Sequence, residues 1–258
     1  MKYIIAADTD IGNRKNINQD SICVKAAETN LYGTIVMAMV CDGMGGLDDG
    51  EVASAEVVKH FSHWFCQRLP DLLKHFSWNE IQNEWREEIK VLNYRIEKYG
   101  ESKDKKMGTT LSAILIIADK YMIAHVGDTR IYKLQNKVKQ LTEDHTYIAQ
   151  ELKKGVITKE EAEHHPKRNM LLQCIGASET VSPQILSGNV DEEIIFLICS
   201  DGFRHKISSD EMQKYFQFQE LKSKEIMKKN LRTLIDLVKE REEQDNISAI
   251  LIKACKES

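Results

Sequence analysis

The sequence lacks the features of membrane proteins and of nucleic-acid-binding proteins. No apolar stretch approaches the roughly 20 residues that a membrane span needs, and the acidic Asp8 comes too early for a signal peptide. A basic surplus, which is usual in proteins that bind nucleic acids, is also missing, since 40 Asp and Glu residues face 36 Lys and Arg residues. We therefore expect a cytoplasmic protein whose partners are neither membranes nor nucleic acids.

Proline, glycine and paired cysteines are scarce as well. The chain has 3 prolines and 13 glycines, with no Pro/Ser-rich boundary, internal repeat or low-complexity segment. Its six cysteines include no C-x-x-C pair of the kind that binds zinc or performs redox chemistry, and several stand in apolar runs, as is typical of core residues in a reducing compartment. With 258 residues, of which 42% are apolar, we expect a single domain over 1–258.

Short apolar, β-branched runs predict strands, and longer periodic segments at 50–69, 78–99 and 210–239 predict helices. The strands between 110 and 134 are joined by two or three residues, which favours antiparallel neighbours and therefore a meander. Because strands and long helices come in separate blocks, the sequence predicts an α+β layered sandwich. The predicted strands are Tyr3–Ala7, Ser21–Lys25, Thr34–Cys41, Thr110–Ala118, Tyr121–Val126, Arg130–Leu134, Ile194–Cys199 and Ile247–Ile252.

Five aspartates stand where these strands end or begin. Asp42, Asp128 and Asp201 follow strands, whereas Asp20 and Asp245 precede them. In an antiparallel sheet the end of one strand lies beside the start of its neighbour, so the five carboxylates can converge on one edge. Such a cluster repels itself unless protons or cations intervene, and magnesium or manganese prefers oxygen ligands of this kind.

The aspartate pattern leaves a turn and a metal site both open. A strand-end Asp-Gly is most often an ordinary turn, but a glycine after Asp42 also lets a backbone carbonyl face an ion. Two ions about 3.5–4 Å apart form an arrangement that hydrolyses phosphoesters. Rival chemistries lack support, because no C-x5-R loop, G-x-S-x-G elbow or P-loop glycine pattern is present.

A series of short motifs runs through the chain from residue 9 to residue 248. In this order they resemble the metal-dependent Ser/Thr protein phosphatases of type 2C, the PPM family, in its bacterial form. The motifs are Thr9–Asp20, Val40–Gly46 with Gly50–Ser54, Gly108–Thr110, Ala124–Arg130, Leu141–Thr146, Cys199–Gly202 and Asp245–Ser248.

The resemblance implies a four-layer α-β-β-α sandwich of two mainly antiparallel sheets with a binuclear manganese or magnesium centre between them. Asp42 would bridge both ions and the Gly43 carbonyl would bind one of them. Asp201 and Asp245 would complete the other, while Asp20 would act mainly through water.

The resemblance also implies the reaction and the remaining roles. Phosphoserine and phosphothreonine would be hydrolysed by a metal-bridging hydroxide, with Arg14, Asp42 and Asp201 as catalytic residues. Arg14 matches the arginine that binds the substrate phosphate, for which its planar fork is suited. Asp128 would share a third, weaker ion with Asp201. A Hanks-type Ser/Thr kinase and its phosphorylated substrates are the expected partners.

The chain departs from the family pattern at four places. Gln19 stands where many relatives carry a metal-binding Glu, and Met44 replaces the histidine of eukaryotic members, which removes a histidine general acid. Glu243–Gln244 replaces the usual glycines before Asp245. The segment Arg204–Lys206 is unusually basic, and the sequence offers no account of its role.

The histidines are expected to be structural. The segment 146–189 resembles the variable flap beside the active site, and its His164 and His165 suit an exposed loop better than a metal site. His125 lies within a predicted strand and is expected to be a hydrogen-bonded core residue. His145 is expected to anchor its loop by a hydrogen bond.

Two alternatives to an active phosphatase of this kind remain at this stage. A catalytically weak, PPM-like binding or regulatory module would be expected to lack Asp42, Asp201 or Asp245, and all three are present. A branch that acts on anti-sigma-factor antagonists shares the fold, but the compact chain without an attached sensor domain argues weakly against it.

Overall fold

The structure is a computed structural model that describes residues 1–44 and 49–255. Gly45 and Gly46 of the second motif lie outside the described residues. The strands are β1 (Lys2–Asp10), β2 (Asp20–Thr29), β3 (Gly33–Asp42), β4 (Leu111–Ile117), β5 (Lys120–Val126), β6 (Arg130–Leu134), β7 (Val138–Gln140), β8 (Gln184–Asn189), β9 (Ile194–Cys199) and β10 (Ile247–Cys255). The helices are α1 (Gly50–Gln67), α2 (Leu69–Leu72), α3 (Trp78–Ser102), α4 (Tyr147–Lys153), α5 (Lys159–Glu163), α6 (Asp201–Arg204), α7 (Ser209–Tyr215) and α8 (Lys224–Glu240).

The strands form two five-stranded antiparallel sheets. One has the order β1-β10-β9-β6-β7 and the other the order β2-β3-β4-β5-β8. The apolar side chains fall into three layers, one between the sheets and one between each sheet and its helices. The predicted four-layer α-β-β-α sandwich is therefore confirmed.

Helix and strand periodicities explain these layers. The long α1 and α3 turn apolar residues such as Phe61 and Trp85 onto the second sheet, while α8 covers the first sheet. Every residue of β9 is buried, because the strand has the helical layer on one face and the other sheet on the opposite face. Both sheets can therefore carry side chains to the gap between them.

The predicted meander between 110 and 134 is wrong at one connection. β4 and β5 pair antiparallel, as expected, but β6 leaves this sheet and pairs with β9 and β7 in the other one. Gly127 makes the sharp turn with a φ of 102°, and Ile131 of β6 is buried in the layer between the sheets. A three-residue connection can therefore cross between sheets, and this crossing carries Asp128 into the gap.

The structure also contains elements that the sequence does not predict. The segment expected to be a flap holds α4 and α5, but its end is β8, which pairs with β5 at the sheet edge. The helical pattern at 210–239 divides into α7 and α8.

All six cysteines are free thiols. In the parts of the chain that the structure describes, no helix is both long and apolar enough to traverse a bilayer.

Candidate metal centre

The five strand-end aspartates meet at one edge of the sandwich, and together they are called the aspartate cluster: Asp20, Asp42, Asp128, Asp201 and Asp245. Asp20 and Asp42 face each other directly across the β2–β3 pair. The backbone of Asp42 is held firmly, since its N–H donates to Thr110 Oγ1 at 2.9 Å and its carbonyl accepts from Thr110 N at 2.9 Å and from Thr109 Oγ1 at 3.0 Å. These hydrogen bonds give Thr109 and Thr110 of the Gly108–Thr110 motif a role in positioning Asp42.

The first sheet supplies Asp201 and Asp245. Asp201 opens α6 immediately after β9, and Asp245 stands two residues before β10. The two turns are in close contact, because a Cβ at Gly202 would lie 2.1 Å from the Asn246 carbonyl oxygen. Glycine is thus required at 202 to bring the two carboxylates to the same place.

Burial and neighbouring acids disfavour ionisation of Asp20. Loss of water contact, together with the negative charges of Asp201 and Asp245, raises the pKa of Asp20 to about 7. The hydroxyls of Ser248 and Ser200 offset part of this rise, although neither makes a hydrogen bond of normal geometry to the carboxylate. Without a cation, this carboxylate is therefore partly protonated at neutral pH.

Asp42 and Asp128 are perturbed in the same direction. Burial, followed by the charges of Asp20 and Asp201, raises the pKa of Asp42 well above its ordinary value. Burial and the charge of Asp201 raise the pKa of Asp128 to about 7, although Arg204 opposes the rise. The cluster as a whole carries more negative charge than its surroundings neutralise.

The oxygens that lack partners fit hydrated divalent cations. Both carboxylate oxygens of Asp20 and Oδ1 of Asp201 are buried without a hydrogen-bond partner among the described residues. Over residues 1–44 and 49–255, no group of three or more His, Cys, Asp or Glu side chains forms a metal-binding set by itself. Ions such as Mg²⁺ keep several waters and take one or two carboxylates, so these residues suit ions that are ligated largely by water.

Gly43 and Gln19 shape the wall beside Asp42. A Cβ at Gly43 would lie 2.4 Å from the Gly50 carbonyl oxygen and 2.6 Å from that of Gln19, so no larger residue fits. The Gln19 side chain donates to Glu51 Oε2 at 3.2 Å. A glutamate at position 19 would place a second negative charge against Glu51, which gives a local reason for the glutamine.

Arg14 lies in a loop that is tied to the aspartate cluster. Asn246 holds this loop by donating to the carbonyls of Ile11 at 2.9 Å and Ile17 at 3.2 Å. Lys15, the next residue after Arg14, forms an ion pair with Asp245 at 3.0 Å. Arg14 itself is exposed and makes no hydrogen bond or ion pair with the described residues, so its guanidinium is available for a ligand at this edge.

The structure connects the basic segment Arg204–Lys206 with Glu243, two features to which the sequence alone assigns no role. Arg204 Nη2 is 3.3 Å from Asp128 Oδ2. His205 lies 3.7 Å from both Asp201 Oδ2 and Glu243 Oε2. The segment therefore lies against the aspartate cluster. Its only sequence signal is the basic run after Asp201.

The predictions for His125 and His145 are confirmed. His125 is fully buried, contacts Ser112 Oγ at 2.9 Å and the Glu143 carbonyl at 3.0 Å, and burial lowers its pKa to about 3. The His145 ring accepts from Gly127 N at 3.3 Å. Both rings thus support the turn that carries Asp128.

The chain is similar to known proteins over most of its length. The family model described as Protein phosphatase 2C matches residues 12–251. The serine/threonine phosphatase Stp of Listeria welshimeri is 33% identical over 248 residues, covering 95% of this chain and 93% of the relative. The solved serine/threonine phosphatase Stp1 from Staphylococcus aureus is similar with a TM-score of 0.84 at 26% identity, covering 99% of this chain and 96% of that chain. The S. agalactiae serine/threonine phosphatase has a TM-score of 0.79 at 30% identity, with coverage of 97% and 99%.

Proposed function

The chain belongs to the protein phosphatase 2C family and is a Ser/Thr protein phosphatase, and from this premise we propose which residues hydrolyse phosphoserine and phosphothreonine. The observation that carries the proposal is the aspartate cluster, whose buried oxygens on Asp20 and Asp201 lack partners among the described residues. Two manganese or magnesium ions when bound there would supply a bridging hydroxide as nucleophile and neutralise charge on the phosphoryl group.

The ligands are assigned by their place in the cluster. Asp42, on which the charges of acids from both sheets act, would contribute to both ions, and the Gly43 carbonyl beside it would bind one of them. Asp201 and Asp245, which come from the first sheet, would hold the other ion. Asp20 is directly opposite Asp42, and its deeply buried carboxylate would accept hydrogen bonds from water on the ions.

Arg14 binds and orients the phosphate. Its guanidinium has donors in a planar fork that match two phosphate oxygens at once, and it reaches solvent without an ion pair among the described residues. The Lys15–Asp245 contact holds the loop at the cluster. Met44 offers no ionisable group beside this site, so the serine or threonine leaving oxygen takes its proton from water.

The partners follow from the activity. The substrates of a Ser/Thr protein phosphatase are phosphorylated proteins, and the enzyme that would generate them here is a Hanks-type Ser/Thr kinase. We propose that both act in the cytoplasm, a reducing compartment that suits six free thiols.

The direct test measures phosphate release from a phosphothreonine peptide with manganese, and again with excess chelator. We expect turnover with manganese, a loss of turnover with chelator and a loss of most turnover in Asp42→Asn, which keeps the shape of the side chain but removes a charged ligand. Calorimetry on the same variant should show weaker manganese binding with the fold intact.

A matched control is Asp236→Asn, because Asp236 is an exposed aspartate on α8. This variant should keep its turnover and its manganese affinity. Activity that survives chelation, or normal rates in Asp42→Asn, would show that the assignment is wrong.

A further inference from the structure

Arg204 lies beside Asp128, which stands in the turn that connects β5 of one sheet to β6 of the other. Its Nη2 donates to the Asp128 carbonyl at 3.2 Å and to Asp128 Oδ2 at 3.3 Å. The same nitrogen lies 3.7 Å from Asp144 Oδ2. The side chains of Arg204 and Asp144 are 12% and 9% exposed, so this contact is largely shielded from water.

The position of Arg204 follows from the local chain. It stands three residues after Asp201 in the short α6, so it approaches Asp128 from the side of Asp201. Asp144 is already engaged by Arg130, with contacts of 2.6 to 3.1 Å. Arg204 forms the ion pair with Asp128, and the charge of His205 has a smaller effect in the same direction, so Arg204 is the main counter-charge of Asp128 within the described residues.

A guanidinium and a divalent ion compete for this place. The guanidinium is permanently charged and weakly hydrated, and it is covalently attached beside its carboxylate. An ion such as Mg²⁺ loses its water reluctantly. An ion shared by Asp128 and Asp201 would also lie close to Arg204, and like charges repel strongly where water is excluded.

We propose that Arg204 takes the place of a third ion at Asp128, so that the centre contains two ions and one arginine. The inference rests on the two-ion function proposed above. It differs from the expectation that Asp128 and Asp201 share a third ion, and it gives the basic segment after Asp201 a role: Arg204 is a positioning residue that holds Asp128.

The experiment counts bound manganese at equilibrium, with free Mn²⁺ measured by electron paramagnetic resonance up to millimolar concentrations. We expect the wild type and Asp128→Asn to bind the same two ions. Arg204→Gln should bind one additional, weaker ion, because the carboxylates of Asp128 and Asp201 lose their competitor. Arg204→Gln combined with Asp128→Asn should lose that additional ion.

The control is Lys206→Gln. It also removes one positive charge, but from an exposed side chain two residues after Arg204. It should bind as the wild type does, and a third ion in Lys206→Gln would overturn the inference, because the gain would then be an effect of net charge. A third wild-type ion that disappears in Asp128→Asn would overturn it as well, and so would an Arg204→Gln variant that binds no more than the wild type.

Two further outcomes are distinguishable. Fewer than two ions in the wild type would contradict the two-ion centre itself, and with it this inference. If Arg204→Gln does not fold, the comparison between the wild type and Asp128→Asn still decides, because the inference requires that the two bind equal numbers of ions.

Discussion

Replacing Asp20 with asparagine should stabilise the metal-free protein while weakening its hold on metal. The Asp20 carboxylate is buried, faces Asp42 across the strand pair and has no hydrogen-bond partner among the described residues. Asparagine has nearly the same shape and carries no charge. Its amide can also donate to the neighbouring carboxylates, so the substitution removes repulsion without opening a cavity.

The magnitude follows from the raised pKa of Asp20. Its value of about 7, against an ordinary 3.8, corresponds to at most roughly 4 kcal/mol at a pH well above 7, since each pKa step is worth about 1.4 kcal/mol. Because neighbouring acids in the cluster share protons, we expect only half of this limit, about 2 kcal/mol, as the gain in the free energy of unfolding. For a chain of this size, this gain raises Tm by roughly 4–8 °C.

The sign of the pH dependence is specific. The folded state of the wild type binds the extra proton between pH 3.8 and about 7, so its stability falls as pH rises through this window and the penalty is complete above it. The gain in Asp20→Asn should therefore be larger at pH 8 than at pH 5. Thermal melting at pH 5 and at pH 8 with excess chelator measures this gain at each pH. Saturating manganese should stabilise the wild type more than the variant.

Asp10→Asn is the matched control. Asp10 also lies at a strand end, and although burial acts to raise its pKa, hydrogen bonds from Lys239 and Arg232 lower it overall. Its loss should destabilise the protein at pH 8, in the opposite direction to Asp20→Asn. If Asp20→Asn were less stable than the wild type in chelator at pH 8, the argument from buried repulsion would be refuted.

Three other predictions concern binding. Arg14→Ala should raise KM for a phosphopeptide by roughly 10- to 100-fold with little change in kcat, as expected for loss of a charge-assisted contact; steady-state kinetics with unchanged KM would contradict it. Manganese binding should displace protons from groups with a pKa near 7, such as Asp20, and each displaced proton should raise the manganese affinity about tenfold between pH 6 and pH 8. Calorimetric affinities that do not change with pH would argue against this displacement of protons. Gly202→Ala should weaken manganese binding, because the new Cβ would push against Asn246. Gly33→Ala strains a backbone with a φ of 63° but has nothing near its Cβ, so it should leave manganese binding intact; equal binding in the two variants would contradict the prediction.

The strand-end aspartates could be found from the sequence because their position depends on local pattern. β3 and β9 are apolar runs that end abruptly at Asp42 and just before Asp201. An antiparallel arrangement then brings strand ends and starts to one edge, whatever the order of the strands. The approximate composition of the cluster therefore required no knowledge of the topology.

The topology itself depends on contacts between distant residues. The short connection around Asp128 looks like a hairpin, yet Gly127 packs against Thr110 and the chain continues in the other sheet. β8 has few apolar residues and is partly exposed, so it lacks the pattern of a buried strand. It forms because β5 would otherwise present an unpaired edge, and unpaired edges are usually covered in folded proteins.

The electrostatic partners of the cluster were least accessible to sequence reasoning. Arg204 and Asp128 are 76 residues apart and reach each other only because α6 and the turn after β5 belong to different sheets that meet at one edge. A basic residue beside a metal motif looks like a solvated surface charge when its neighbours are unknown. Local sequence thus indicates where negative charge accumulates. Whether bound ions or the chain's own cations neutralise that charge depends on tertiary contacts.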